Sequence, residues 1–223
     1  MVERKTMKPP EKIRALFYKA RIDGKPIDDA INIWTWLIAV FSLKWDRLKY
    51  GYSHMEIWIP DEDGKFTHNQ ITPLREFDRI NPPIAVPDEF KNPDEYLGQC
   101  FSSTTRGDAN GVRFAPANEV LKHPERWDYI DLPLTGVSKD YWPKVMEWAN
   151  KQVGKGYDYK GIAGFFSPKP INNPERWYCS EICMRLIYKA WIFNTFEERI
   201  SPRRSASVLA SYYGEPKPLE NKK

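Results

Sequence analysis

Residues 53–72 read SHMEIWIPDEDGKFTHNQIT, and the alternation in them sets the fold class. Met55, Ile57 and Ile59 alternate with His54, Glu56 and Trp58, a period of two that belongs to a β-strand. Asp63-Gly64 supplies a turn, and Lys65 to Ile71 is expected to return as the second strand of a hairpin. A three-residue turn, Glu62-Asp63-Gly64, would pair Asp61 with Lys65, Glu56 with Gln70 and His54 with Thr72. A turn longer by two residues would instead set His68 opposite Glu56. His54 and Glu56 project from one strand face while Met55 and Ile57 enter the core.

Working outward, Ile13 to Arg21 reads as a first strand, broken by Gly24 and Pro26. Ala30, Ile33, Trp34, Leu37, Ile38 and Phe41 then recur at helical spacing. Residues 73–98 are rich in Pro and Asp and predict irregular structure. Cys100 to Ser103, Gly111 to Phe114 and Tyr129 to Leu132 read as strands, with a short helix at Pro116 to Leu121. Tyr141, Val145, Trp148 and Ala149 outline a second long helix, with Pro143 in its first turn, a cap near Asp140, and Gly154 and Gly156 at its end. After a loop rich in Gly and Pro, Cys179, Ile182, Cys183, Leu186, Ile187 and Ala190 form the apolar stripe of a third helix. Helices mixed irregularly with short strands predict an α+β domain with an antiparallel sheet or partial barrel packed against helices. One domain is expected over 13–205, flanked by tails at 1–12 and 206–223.

The chain has 223 residues, 41% of them apolar, 29% charged and 14% aromatic. That mix fits a globular chain with a ring-rich core and excludes low-complexity and collagen-like readings. The net charge of +4 is spread along the length, and Arg203-Arg204 is the nearest approach to a basic cluster. No nucleic-acid partner is therefore expected. The longest uncharged apolar run, Ile31 to Leu43, is too short to span a bilayer. The charged N-terminal stretch has no signal-peptide pattern, so a cytoplasmic protein is expected, with release on lysis or carriage in a virion left open. Cys100, Cys179 and Cys183 do not form a disulfide framework, and the three His (54, 68 and 123) are too scattered for zinc. No metal and no organic cofactor is expected.

Two places combine reactive residue types. His54 and Glu56 on one strand face suit a general base and its orienting partner, set against the plainer reading of a solvated polar face. Cys179 falls at the start of the third helix, where free N–H groups and the helix dipole favour the thiolate. The same N–H groups suit an oxyanion. Cys183, one turn further in, reads as a small core residue. Glu181 in the first turn is expected to serve the dipole, and His123, before Pro124, to lie on the surface.

YSHMEIWI at 52–59, GKGYDY at 154–159 and WYCSEIC at 177–183 resemble the YiiX-like branch of the permuted NlpC-type papain-like hydrolases, the group that also holds lecithin:retinol acyltransferase. In that branch the His strand comes first and the Cys helix near the end, as here. The resemblance implies a circularly permuted papain-like fold with the nucleophile at a helix N-terminus, Cys179 as nucleophile and His54 as base. Glu56 is favoured as the orienting residue, with His68 as the alternative. Tyr157 matches the Tyr of the family's Gly-x-x-Tyr-Asp element and would line the site, unless it only packs the loop. The implied activity is hydrolysis of amide bonds (peptide, isopeptide or peptidoglycan stem peptide) through an acyl-enzyme. A lipid or thioester acyl hydrolase or acyltransferase of the same fold, and a non-catalytic peptide- or protein-binding module, remain the alternatives.

Overall fold

Strand β1 (Lys12–Lys19) is apolar on both of its faces and bonded along both of its edges. Ile13, Ala15 and Phe17 enter one core, and Leu16 and Tyr18 enter another on the opposite side. A computed structural model describes residues 9–19, 21–22, 25–26, 51–67, 96–105, 110–138, 140–163, 173, 175–190, 192 and 200–219. Along these run β2 (Arg21–Ile22), β3 (Lys25–Pro26), β4 (Tyr52–Ile59), β5 (Gln99–Thr104), β6 (Gly111–Pro116) and helix α1 (Ala117–Val120). They continue with β7 (Trp127–Pro133), α2 (Trp142–Gln152), β8 (Gly156–Tyr157) and α3 (Tyr159–Ala163). The last are β9 (Arg176–Trp177), α4 (Cys179–Lys189), α5 (Pro202–Tyr213) and β10 (Lys217–Pro218). Among the described residues β2 and β3 form a separate two-stranded sheet.

The chain is α+β. Its main sheet has the order β10-β7-β1-β4-β5-β6-β8-β9 and curls into a half-barrel packed against helices. All its neighbours are antiparallel except β8 and β9. The larger core lies between Met55, Ile57, Phe101 and Ile130 of the sheet and the apolar stripes of α2, α4 and α5. The smaller core, on the other face, gathers Leu16, Trp58, Phe66, Cys100 and Trp127. Arg14 enters that second face because its guanidinium lies over the rings of Phe66 (4.1 Å) and Tyr129 (4.5 Å) and pairs with Asp131 at 2.9 Å. Among the described residues no helix is long and apolar enough to cross a membrane.

Of the expected hairpin, the described residues show the turn. The Asp61 N–H donates to the Lys65 carbonyl at 3.0 Å, and Gly64 takes the left-handed φ of 79° that the turn requires. Beyond it Phe66 turns into the second core against Trp58, and Thr67 bridges Tyr96 instead of β4. Both edges of β4 are taken, by β1 and β5, so Tyr18 stands opposite His54 and Leu16 opposite Glu56. A strand buried on both faces needs neighbours that are apolar on both faces. Ala15 to Tyr18 meet that need and the polar run Thr67 to Gln70 does not. His68, Gln70, Thr72, the helix expected over 30–41 and most of the irregular 73–98 stretch lie outside the described residues.

The expected tail at 206–223 is corrected by α5, whose Ala206 and Leu209 are fully buried, and by β10, which pairs with β7. Leu219 is also buried, so the folded unit runs to at least that residue. Ser201 caps α5 by accepting from the Arg204 N–H, and Pro202 opens it, which are ordinary helix-start signals. At the other end Lys12 already belongs to β1. α2 starts at Trp142 with Pro143 in its first turn, and its cap is Tyr141, next to Asp140 as expected.

Candidate active site

The ladder between β4 and β5 joins Ile57 to Phe101, Trp58 to Cys100 and Ile59 to Gln99, and goes no further toward His54. Where the strands part, the Met55 carbonyl accepts from Ser102 Oγ at 2.7 Å and from Cys183 Sγ at 3.5 Å. This brings the N-terminus of α4 against the polar half of β4. Tyr178, extended at φ −95° and ψ 164°, is the residue before the helix, and no side chain caps it. Cys179 is the first helical residue, as the sequence predicts.

Each neighbour of Cys179 is tied down. Ser103 Oγ and the Asp158 N–H both donate to the Trp177 carbonyl, at 2.6 and 3.1 Å. Tyr178 Oη accepts from the Ile200 N–H at 3.2 Å, and Ser180 Oγ donates to the Ile200 carbonyl at 2.6 Å. The backbone of Ile200 therefore clamps the residues on both sides of the thiol. This clamp and Ser103 were invisible in the sequence, because backbone groups carry no residue signature.

His54 and Glu56 share a face of β4, and that face is buried, with the two residues 5% and 2% exposed. The solvated-face reading of the pair is thus excluded. His54 Nε2 and Glu56 Oε1 are 3.0 Å apart. The same carboxylate accepts a two-pronged bond from Arg113 of β6, Nη2 to Oε1 at 2.8 Å and Nη1 to Oε2 at 3.2 Å. Burial by itself would raise the Glu56 pKa, but the His54 hydrogen bond and the Arg113 charge bring it down to about 2. Trp127 packs edge-on against the other side of the imidazole, 6.3 Å between ring centres. The same imidazole hydrogen-bonds the Cys179 sulfur.

The three cysteines are all buried, and one of them differs. Burial raises the Cys179 thiol, yet the charge of His54, its hydrogen bond, and the N–H groups of Met55 and Ser180 together lower it below the usual range. In an uncapped helix the sulfur thus takes an N–H that a Ser or Asp side chain would otherwise accept from. Cys183 is pushed well up by burial and by the neighbouring Cys179 charge. Cys100 is pushed well up by burial and by Glu56. The arrangement can hold a thiolate–imidazolium pair with a carboxylate fixing the ring.

The structure therefore brings Cys179, His54 and Glu56 together. Tyr157 lies on β8 near the helix start and packs with Tyr178 and Ile162. His68, the alternative orienting residue, is outside the described residues. Glu181 sits in the first turn of α4, and His123 is an exposed partner of Glu125. Arg113 is the residue missed. The available signal was an arginine set between Val112 and Phe114 on a strand that the sequence already predicts. Among the described residues, no three His, Cys, Asp or Glu side chains are grouped as metal ligands would be. Comparisons with family models, curated proteins and solved structures found no match for the chain.

Proposed function

We propose that the chain is a cysteine hydrolase of the YiiX-like, permuted papain-like kind, cleaving amide bonds in peptides, isopeptides or peptidoglycan stem peptides. The observation that carries this reading is the meeting of one activated thiol with a buried imidazole and carboxylate. Cys179 and His54, 125 residues apart in the chain, meet at the start of a helix. The His strand precedes the Cys helix, in the permuted order.

The Cys179 thiolate attacks the carbonyl carbon, and the developing oxyanion takes N–H bonds at the start of α4. The His54 imidazolium gives its proton to the leaving nitrogen as the C–N bond breaks, which frees an amine and leaves an acyl group on sulfur. His54 then takes a proton from water, the hydroxide oxygen attacks the thioester, and the carboxylic acid leaves as the thiol is re-formed. Glu56 holds the ring and stabilises its charged form.

Purified peptidoglycan and synthetic isopeptides are the substrates to try. New amino groups are expected with the native chain and none with Cys179→Ala. A stable acyl adduct on Cys179 from phospholipid, with no amine released from any peptide or wall material, would move the assignment to lipid acyl chemistry. No turnover and no adduct on any of them would leave a binding module.

A further inference from the structure

We infer that Arg113 is a positioning residue of this site and sets the pH at which Cys179 becomes a thiolate, acting through Glu56 and His54. The inference rests on the cysteine-hydrolase reading. It starts from a chain of four groups of alternating sign: Cys179 on α4, His54 and Glu56 on β4, and Arg113 on β6. Glu56 is 2% exposed, and both its oxygens bond the arginine fork. One of them, Oε1, also meets His54 Nε2. The carboxylate therefore cannot turn without breaking its contacts to both partners, and the fork fixes the plane in which it holds the imidazole.

The charge is as important as the geometry. Thiolate, imidazolium, carboxylate and guanidinium sum to zero in a dry place, whereas loss of the guanidinium leaves one buried negative charge uncompensated. Among the described residues, the groups whose electrostatic contacts with it are known do not replace it. Cys100 on β5 and Cys183 on α4 are held protonated, as is Tyr178 before α4. Glu181 in the first turn of α4 and Asp158 before α3 act electrostatically on Tyr178 and add acid, not base. Removing a positive charge raises the pKa of every group nearby, so the thiolate should form at higher pH without Arg113.

The test needs no substrate. Iodoacetamide labelling of each cysteine is followed by mass spectrometry across pH in the full chain. In the native chain Cys179 should label far faster than Cys100 and Cys183; failure of that step overturns the hydrolase reading itself. In Arg113→Gln the acid limb of the Cys179 profile should move up by about one pH unit, roughly a tenfold loss of rate on that limb. Arg113→Lys, which keeps the charge, should restore most of the shift. A purely structural arginine would lower the melting temperature of Arg113→Gln and leave the limb in place. That result, with Cys179 still selectively labelled, overturns the inference alone. Should Arg113→Gln not fold, the same charge is isolated by comparing Glu56→Gln with Glu56→Gln/Arg113→Gln. The double variant should have the higher limb, and coincident limbs overturn the inference.

Discussion

Cys179 and Cys183 stand one helical turn apart on α4, both buried, and their surroundings differ almost completely. Cys179 meets an imidazole and two N–H donors, all of which favour its charged form. Cys183 meets carbonyl oxygens, those of Met55 at 3.5 Å and Phe101 at 3.6 Å, to which it must donate. Met55 thus offers its N–H to one thiol and its carbonyl to the other. Hydrogen-bond polarity, rather than burial, separates a nucleophile from a core residue here, and it changes within a single turn because the helix N-terminus exposes donors only at its end.

The comparison is broken most severely by exchanging roles. Cys179→Ala should lower amide turnover by on the order of 10⁴-fold or more while the chain stays folded, because the nucleophile is gone. Cys183→Ala should keep most of the turnover. Glu56→Gln comes next. It leaves His54 without its anionic partner and should lower turnover about 10²-fold, measured on whatever peptide or wall substrate the native chain cleaves.

Acid stability sharpens the same contrast. The folded-state pKa of Glu56, about 2, lies below its ordinary 4.5. A depressed carboxyl stabilises the fold above the ordinary value and loses that contribution as pH falls toward the folded value. Unfolding by urea should therefore show the native chain losing, between pH 4.5 and about 2, on the order of 3 kcal/mol that Glu56→Gln does not lose. The smallest effect belongs to Cys183→Ala itself. Removing a fully buried sulfur and its weak bonds to Met55, Phe101 and Ser102 should cost about 1–2 kcal/mol by the same denaturation.

Periodicity made much of this legible from the sequence. The strands at 13–21, 100–103, 111–114 and 129–132, and the helix opening at Cys179, all appear within a residue or two, because apolar spacing reports directly on which face is buried. The partner of β4 was not legible. A turn signal at Asp63-Gly64 says that the chain reverses and does not name the partner of β4, whose two edges are taken by β1 from far upstream and β5 from downstream. α5 was passed over because the charged, Pro-bearing end of the chain was read as a tail, although Ser201-Pro202 and the spacing of Ala206 and Leu209 carried its pattern. At the site, His54, Glu56 and Cys179 were legible as residue types in sequence order. The Arg113 fork and the Ile200 clamp were not, since both depend on which strands and loops become neighbours.

The central claim is that His54 makes Cys179 a thiolate while Cys183 stays a thiol. The most direct test is the pH at which Cys179 alkylates half-maximally, in the native chain and in His54→Ala, with Cys183 as the internal control. The native midpoint should lie below the ordinary thiol value of roughly 8.5, and removal of the imidazole should raise it above that value. A native midpoint at or above the ordinary value, unmoved by His54→Ala and shared with Cys183, would contradict the account.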